Sequence, residues 1–185
     1  MSTTVLDLDL WDRSADEHDR AMLDLCVGPT LDVGCGPGRL AADLAARGHV
    51  VLGIDVLGRA VGTAVRRGAS ALCRDVFEAL PGEGRWSTVL LADGNVGIGG
   101  DPVALLRRLR ELLAPDGRVV AELAAPGTPM DFGWATLHHG GHASAPIRWS
   151  VVGVDDIDPL AASARLLVGD VVRLGERWCA VLESA

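Results

Sequence analysis

Short apolar runs alternate with longer segments of helical spacing through the middle of the chain. The runs at 30–33, 50–54, 71–73, 88–92 and 118–123 carry apolar residues at successive positions, as strands buried on both faces require. Between them, 39–47 sets Leu40, Ala41, Leu44 and Ala45 at helical spacing with Gly48 as its stop, and 57–67 ends at Gly68. Asp101 and Pro102 form an N-cap and first-turn pair for a helix to Leu113. Ahead of these elements, Ser14 to Glu17 has capping-box spacing and predicts a helix to about Leu25. Turns are expected within 77–85 and at Pro115-Asp116-Gly117. The C-terminal part reads as a helix over 156–165, then a hairpin of 166–174 and 178–182 across Gly175-Glu176. Strands joined by crossover helices predict an α/β fold, a parallel sheet covered on both faces with an antiparallel end. The pattern breaks over 125–153, where glycines, prolines, Trp134, Trp149 and three of the five histidines gather. Irregular segments of this length in compact domains are usually functional or mobile.

Composition narrows the function classes. With 185 residues, 49% of them hydrophobic, a single domain spanning 1–185 is expected. No run of about 18 apolar residues predicts a membrane span, and Met1 to Leu10, with Asp7 and Asp9, does not read as a signal peptide. A cytoplasmic location is the expectation. Cys26, Cys35, Cys73 and Cys179 match no metal-ligand spacing and read as reduced thiols. The net charge of −8 and the lack of a basic, aromatic-interleaved stripe make nucleic acid an unexpected partner. All 17 basic residues are Arg, there is no Tyr, and Asn95 is the only side-chain amide. Such a skew suggests a GC-rich coding sequence and makes Asn95, inside a glycine-rich segment, worth explaining.

The segment Asp32-Val33-Gly34-Cys35-Gly36-Pro37-Gly38 joins the first parallel-type strand to a helix. Glycines there permit a tight turn and close ligand approach, and the helix N-terminus favours an anionic group. The spacing differs from the dinucleotide fingerprint, since the third glycine comes one residue early and Arg39 takes its place. This D-x-G-x-G-x-G arrangement resembles motif I of class I S-adenosylmethionine (SAM)-dependent methyltransferases, and the likeness extends over about 29–123. The resemblance implies a seven-stranded, mostly parallel Rossmann-like sheet with a C-terminal antiparallel hairpin, and SAM as cofactor with S-adenosylhomocysteine as product. It also implies site roles. Asp32 would lie near the methionine amino group, with Gly34, Cys35, Gly36 and Gly38 as the backbone cradle. Asp55, with Val56 beside it, would hold the ribose hydroxyls, an arrangement that a helix N-cap role would not preclude. Asp75 would accept from the adenine amino group, with Val76 along the ring. Asp93, Gly94 and Asn95 would pass beneath the reactive methyl, Asp93 doubling as a catalytic candidate. Arg39 is expected to be exposed and has no assigned role.

The acceptor is expected to be a small molecule, methylated at oxygen or nitrogen and plausibly a bacterial secondary metabolite. His138, His139 and His142 are candidates for a general base, against the plainer reading of an exposed flexible loop; Asp131 is a weaker one. No metal is expected. Trp134 and Trp149 either line an acceptor pocket or pack in a core, and Trp11 either closes over the cofactor or packs likewise. Residues 1–28 are expected to form a helical lid and 125–153 an acceptor-binding segment. The alternatives are a SAM-fold enzyme of cyclisation or decarboxylation and a non-catalytic SAM-binding partner subunit.

Overall fold

A computed structural model describes residues 3–185. Its main sheet has seven strands: β2 (Thr30–Val33), β3 (Val51–Asp55), β4 (Ala71–Cys73), β5 (Trp86–Leu91), β6 (Leu113–Leu123), β10 (Leu166–Leu174) and β11 (Arg177–Ser184). Their spatial order is β10-β11-β6-β5-β2-β3-β4. The five strands from β2 to β6 run parallel, and the terminal hairpin is antiparallel. The order reverses between β5 and β2, and in open α/β sheets ligands bind beyond the carboxyl ends at such a switch.

The unbroken apolar runs are explained by burial on two faces. Val89 and Leu91 of β5 pack with α4 (Pro102–Leu112) and α5 (Ile157–Ser163) on one side. Leu90 and Ala92 pack with α1 (Glu17–Leu23), α2 (Arg39–Ala46) and α3 (Gly58–Arg66) on the other. Leu105, Leu106, Leu109 and Leu112 recur at helical spacing and are fully buried.

Three expectations are corrected in detail. The N-cap of α1 is Asp16, in a reciprocal capping box with Asp19, two residues beyond the Ser14 start. Acidic side chains serve both halves of the box. The turn at Pro115-Asp116-Gly117 lies inside the β6 span, where pairing with β5 jumps from Leu113↔Trp86 to Arg118↔Thr88. Lastly, 125–153 is mostly sheet. β7 (Asp131–His139) pairs with β8 (His142–Ala143) and β9 (Ile147–Val151), and β1 (Thr3–Asp7) adds to β7 in parallel. The 1–28 region is therefore part strand and part helix, with Met1 and Ser2 outside the described residues.

This second sheet sits over the carboxyl ends of the main one. Bridges Ile98↔Trp149 and Ala124↔Gly153 join the two. At Gly97 a Cβ would fall 1.9 Å from the Ser150 carbonyl oxygen, so β9 approaches as closely as only a glycine allows. Gly97→Ala is expected to push β9 outward, raising protease sensitivity at 125–153 before that of the main sheet. Limited proteolysis with mass mapping checks it, and an unchanged cleavage pattern would count against this docking.

Candidate active site

A cavity of about 190 Å³ opens at the switch point. Its floor comes from the loops after the parallel strands: Val33 to Pro37 after β2, Asp55 and Val56 after β3, Arg74 to Phe77 after β4, and Asp93, Asn95 and Ile98 after β5. Its roof is the second sheet with the 3-10 turn Leu8–Trp11, through Leu6, Leu8, Trp11, Leu137, Ile147 and Trp149.

Asp55 closes the first loop against β3. Its carboxylate accepts from the Gly36 N–H at 2.9 Å and the Leu57 N–H at 2.8 Å. Burial pushes its carboxyl up, and these hydrogen bonds oppose that rise. Each oxygen keeps a lone pair, which is the acceptor geometry a vicinal diol needs. The N–H groups of Gly34 and Cys35 already donate to the Ile54 carbonyl. With the Gly36 N–H engaged by Asp55, the loop has acceptors to offer a ligand but few free donors, which suits an ammonium group. The Cys35 thiol is buried and pushed up well above its ordinary value by that burial, so it is not a thiolate. Asp75 accepts from the Phe77 N–H at 3.0 Å and lines the cavity with Val76 and Phe77.

Asn95 has a definite task. Its Nδ2 donates to the carbonyls of Val33 and Gly34, each at 2.9 Å. The loop after β5 is thereby clamped to the loop after β2.

Arg39 corrects the expectation most sharply. It is buried, not exposed, and its guanidinium bridges two carboxylates. It donates to Asp19 at 3.0 and 3.1 Å and to Asp93 at 2.7 and 2.8 Å. Arg177 extends the network, donating to Asp19 at 2.6 Å and to both Glu122 oxygens at 2.7 Å. Burial works to raise the Asp19 carboxyl, but the hydrogen bonds from Arg39 and Arg177 outweigh it and hold the group well below the usual carboxylate range. Asp19, Glu122 and Arg177 carry no motif and lie far from Arg39 in sequence. Only the placement of Arg39 one residue past the last motif glycine hinted at a role.

Several expected site residues are not at the cavity wall. Asp32 lies beneath the loop, 1% exposed, with Oδ2 lacking any partner among the described residues. Gly38 and Gly94 are absent from the wall, and at Gly38 (φ +80°) a Cβ would meet Ala64 of α3 at 2.5 Å. Gly38 therefore lets α2 and α3 pack closely. None of His138, His139 and His142 lines the cavity. His139 is buried, with Nδ1 2.7 Å from Asp9 Oδ1 and Nε2 3.3 Å from Thr63 Oγ1. His142 is exposed, and Asp131 is exposed at the start of β7. Trp11 and Trp149 line the cavity, whereas Trp134 stacks under the Arg148 guanidinium, 4.6 Å from its ring centroid.

Residues 30–117, a little under half of the chain, match the family described as a methyltransferase domain. The fold is that of SAM-dependent methyltransferases of known structure. A SAM-dependent methyltransferase from Bacteroides fragilis, solved with S-adenosylhomocysteine, superposes with a TM-score of 0.78 at 21% identity, covering 96% of this chain and 81% of its own. The 1,6-didemethyltoxoflavin-N1-methyltransferase of Burkholderia thailandensis, solved with 1,6-didemethyltoxoflavin and S-adenosylhomocysteine, gives 0.69 at 20% identity over 96% and 81%. The CcbJ methyltransferase of Streptomyces caelestis gives 0.69 at 19% identity over 91% and 94%. At these identities the likeness is one of fold. Uncharacterized proteins of Mycobacterium tuberculosis and Mycobacterium bovis are 33% identical over 119 residues, which is 64% of this chain and 39% of theirs. The matched region thus spans about two fifths of those relatives.

Two predictions follow from the charges. Removing the Arg39 guanidinium in Arg39→Met leaves buried Asp19 and half-buried Asp93 without it, and should cost about 3–5 kcal/mol in denaturant unfolding. A loss below 1 kcal/mol would show the network to be dispensable. Burial pushes the Asp32 carboxyl up to about 7. Its unfolded value is near 3.9, so its contribution to stability is intact below about pH 4 and lost as pH rises through about 7, by up to about 4 kcal/mol. Asp32→Asn is expected to gain in Tm over the natural protein as pH rises from 5 to 8. A difference in Tm that stays constant across that window would contradict this reading.

Proposed function

We propose that this chain binds SAM in the cavity at the switch point and transfers its methyl group to an oxygen or nitrogen of a small molecule. The observation carrying the proposal is the paired loop geometry: Asp55 ties down the glycine bend at Gly36 while still facing the cavity. In this reading Asp55 takes the ribose hydroxyls. Asp75, with Val76 and Phe77, takes the adenine. The Gly34–Gly36 backbone and the Asn95 region receive the methionine end. Asp93 belongs to that end through its position, and Asp32 acts from the layer below.

The bound sulfonium supplies an electrophilic methyl group. The residues of the chain then align donor and acceptor in a space roofed by Trp11, Leu137 and Trp149. Alignment of this kind is worth roughly 7–11 kcal/mol. A small acceptor is favoured because the second sheet roofs a cavity of about 190 Å³. The secondary-metabolite role is supported by the toxoflavin-type acceptor of the Burkholderia enzyme, which shares the fold. We assign the 125–153 sheet and the turn Leu8–Trp11 to acceptor enclosure.

Calorimetric titration with S-adenosylhomocysteine tests the proposal. Binding is expected to the natural protein and to weaken about 10- to 100-fold in Asp55→Ala, through loss of charge-assisted hydrogen bonds worth about 1.5–3 kcal/mol. No uptake by the natural protein, or equal uptake by the variant, would sink the assignment.

A further inference from the structure

We infer that the acceptor brings its own nucleophile already ionised: an apolar-bodied acid that attacks through a carboxylate or an acidic hydroxyl oxygen. This inference rests on the methyl-transfer reading and narrows it.

The first support is the state of every group in the wall that could take a proton. No histidine lines the cavity among the described residues. Asp93, nearest the expected methyl position, has a guanidinium N–H of Arg39 on each oxygen, at 2.7 and 2.8 Å. A proton taken up there would discharge the carboxylate partner of a buried guanidinium. Asp55 accepts a backbone N–H on each oxygen, and Asp75 sits at the far, β4 end of the cavity. Burial keeps the Cys35 thiol protonated. His139 is committed to Asp9 and Thr63 behind the wall. A general base commonly contributes about 10²- to 10⁴-fold when a neutral hydroxyl must be deprotonated. This cavity is built without one, so it suits a nucleophile that has no proton to lose.

The second support is charge. Asp93 is ion-paired with Arg39, which it shares with Asp19, and Arg74 and Arg148 stand in the wall against Asp55 and Asp75. Bound SAM adds a sulfonium and an ammonium against one carboxylate. A protonated amine would therefore meet a like charge and would also need to shed a proton, whereas an anion is attracted on approach. The apolar roof of Leu6, Leu8, Leu137, Ile147 and the two indoles of Trp11 and Trp149 would cover the body of the acid. The step balances without proton transfer. An oxygen lone pair forms the new O–C bond, the S–C bond breaks, and its electron pair stays on sulfur. Anion and sulfonium become a neutral ester or ether and a neutral thioether.

The test uses the full chain saturated with S-adenosylhomocysteine, whose uptake is measured first. Benzoate and 4-nitrophenolate are then compared by calorimetry with benzamide and benzylamine. The two anions are expected to bind at least about ten-fold more tightly, a difference of 1.4 kcal/mol. Equal binding, preference for benzylamine, or no uptake of either anion would overturn the inference while leaving the cofactor assignment intact. Failure to take up S-adenosylhomocysteine would instead remove the methyl-transfer reading itself. With SAM present, any substituted phenol that is methylated should show a pH–rate midpoint that moves with its own acidity. A midpoint that is the same for phenols of different acidity would reveal a protein base and overturn the inference.

Discussion

The buried guanidinium of Arg39 is the contact on which the site depends. It belongs to the first residue of α2, and it holds Asp19 of α1 and Asp93 after β5 at once. Asp93 has φ +53°, a left-handed conformation that a non-glycine residue adopts at a cost of about 1–2 kcal/mol. That conformation is secured from two sides, by Arg39 on the carboxylate and by Glu122, which accepts the Asp93 N–H at 2.6 Å. Two residues on, Asn95 holds the carbonyls of Val33 and Gly34. The chain of contacts therefore runs from a helix pair, through an ion network, to the bend that faces the cavity. The loops after β2 and β5 behave as one piece.

A buried network of this kind is costly to desolvate and costly to break. What it contributes here is position. Glu122 comes from β6 and Arg177 from β11, so β6, the hairpin and two helices all converge beneath one loop. The lid uses a different device. It docks through backbone contact, at Gly97 against Ser150 and at the Ile98↔Trp149 bridge. Rigid floor and docked roof thus have separate origins, and a change in one need not disturb the other.

This division explains what was legible in the sequence. The strands of the main sheet announced themselves because burial on both faces leaves apolar runs, and the helices because caps and stops such as Asp101-Pro102 and Gly48 are local signals. Gly34 to Gly36, Asp55 and Asp75 could be located because each follows the end of a strand. The second sheet was not legible. Its core face uses Ala135, Leu137, Ile147 and Trp149, spread among glycines and polar residues, and its first strand lies over a hundred residues away at Thr3–Asp7. Asp19 and Arg177 were hidden for the same reason: their partners are defined only by long-range contact. His139 drew attention through its neighbours in sequence, yet its own partners, Asp9 and Thr63, turn it away from the cavity.

The absence of lysine gives the network its chemistry. An ammonium is a compact point charge and cannot present paired donors to two carboxylates in fixed directions, whereas a guanidinium fork can. Arg39 uses donors on all three of its nitrogens to serve Asp19 and Asp93 together, and Arg177 repeats the arrangement with Glu122 and Asp19. The consequence reaches the cavity. The same bonds that fix the loop after β5 also pair the Asp93 carboxylate, which lines the cavity, with a guanidinium. Two guanidinium N–H groups, and a left-handed backbone held by Glu122, commit that carboxylate to position. In the methyl-transfer reading proposed above, a site so built acts by alignment and electrostatic attraction, and the nucleophile is generated by the molecule that enters it.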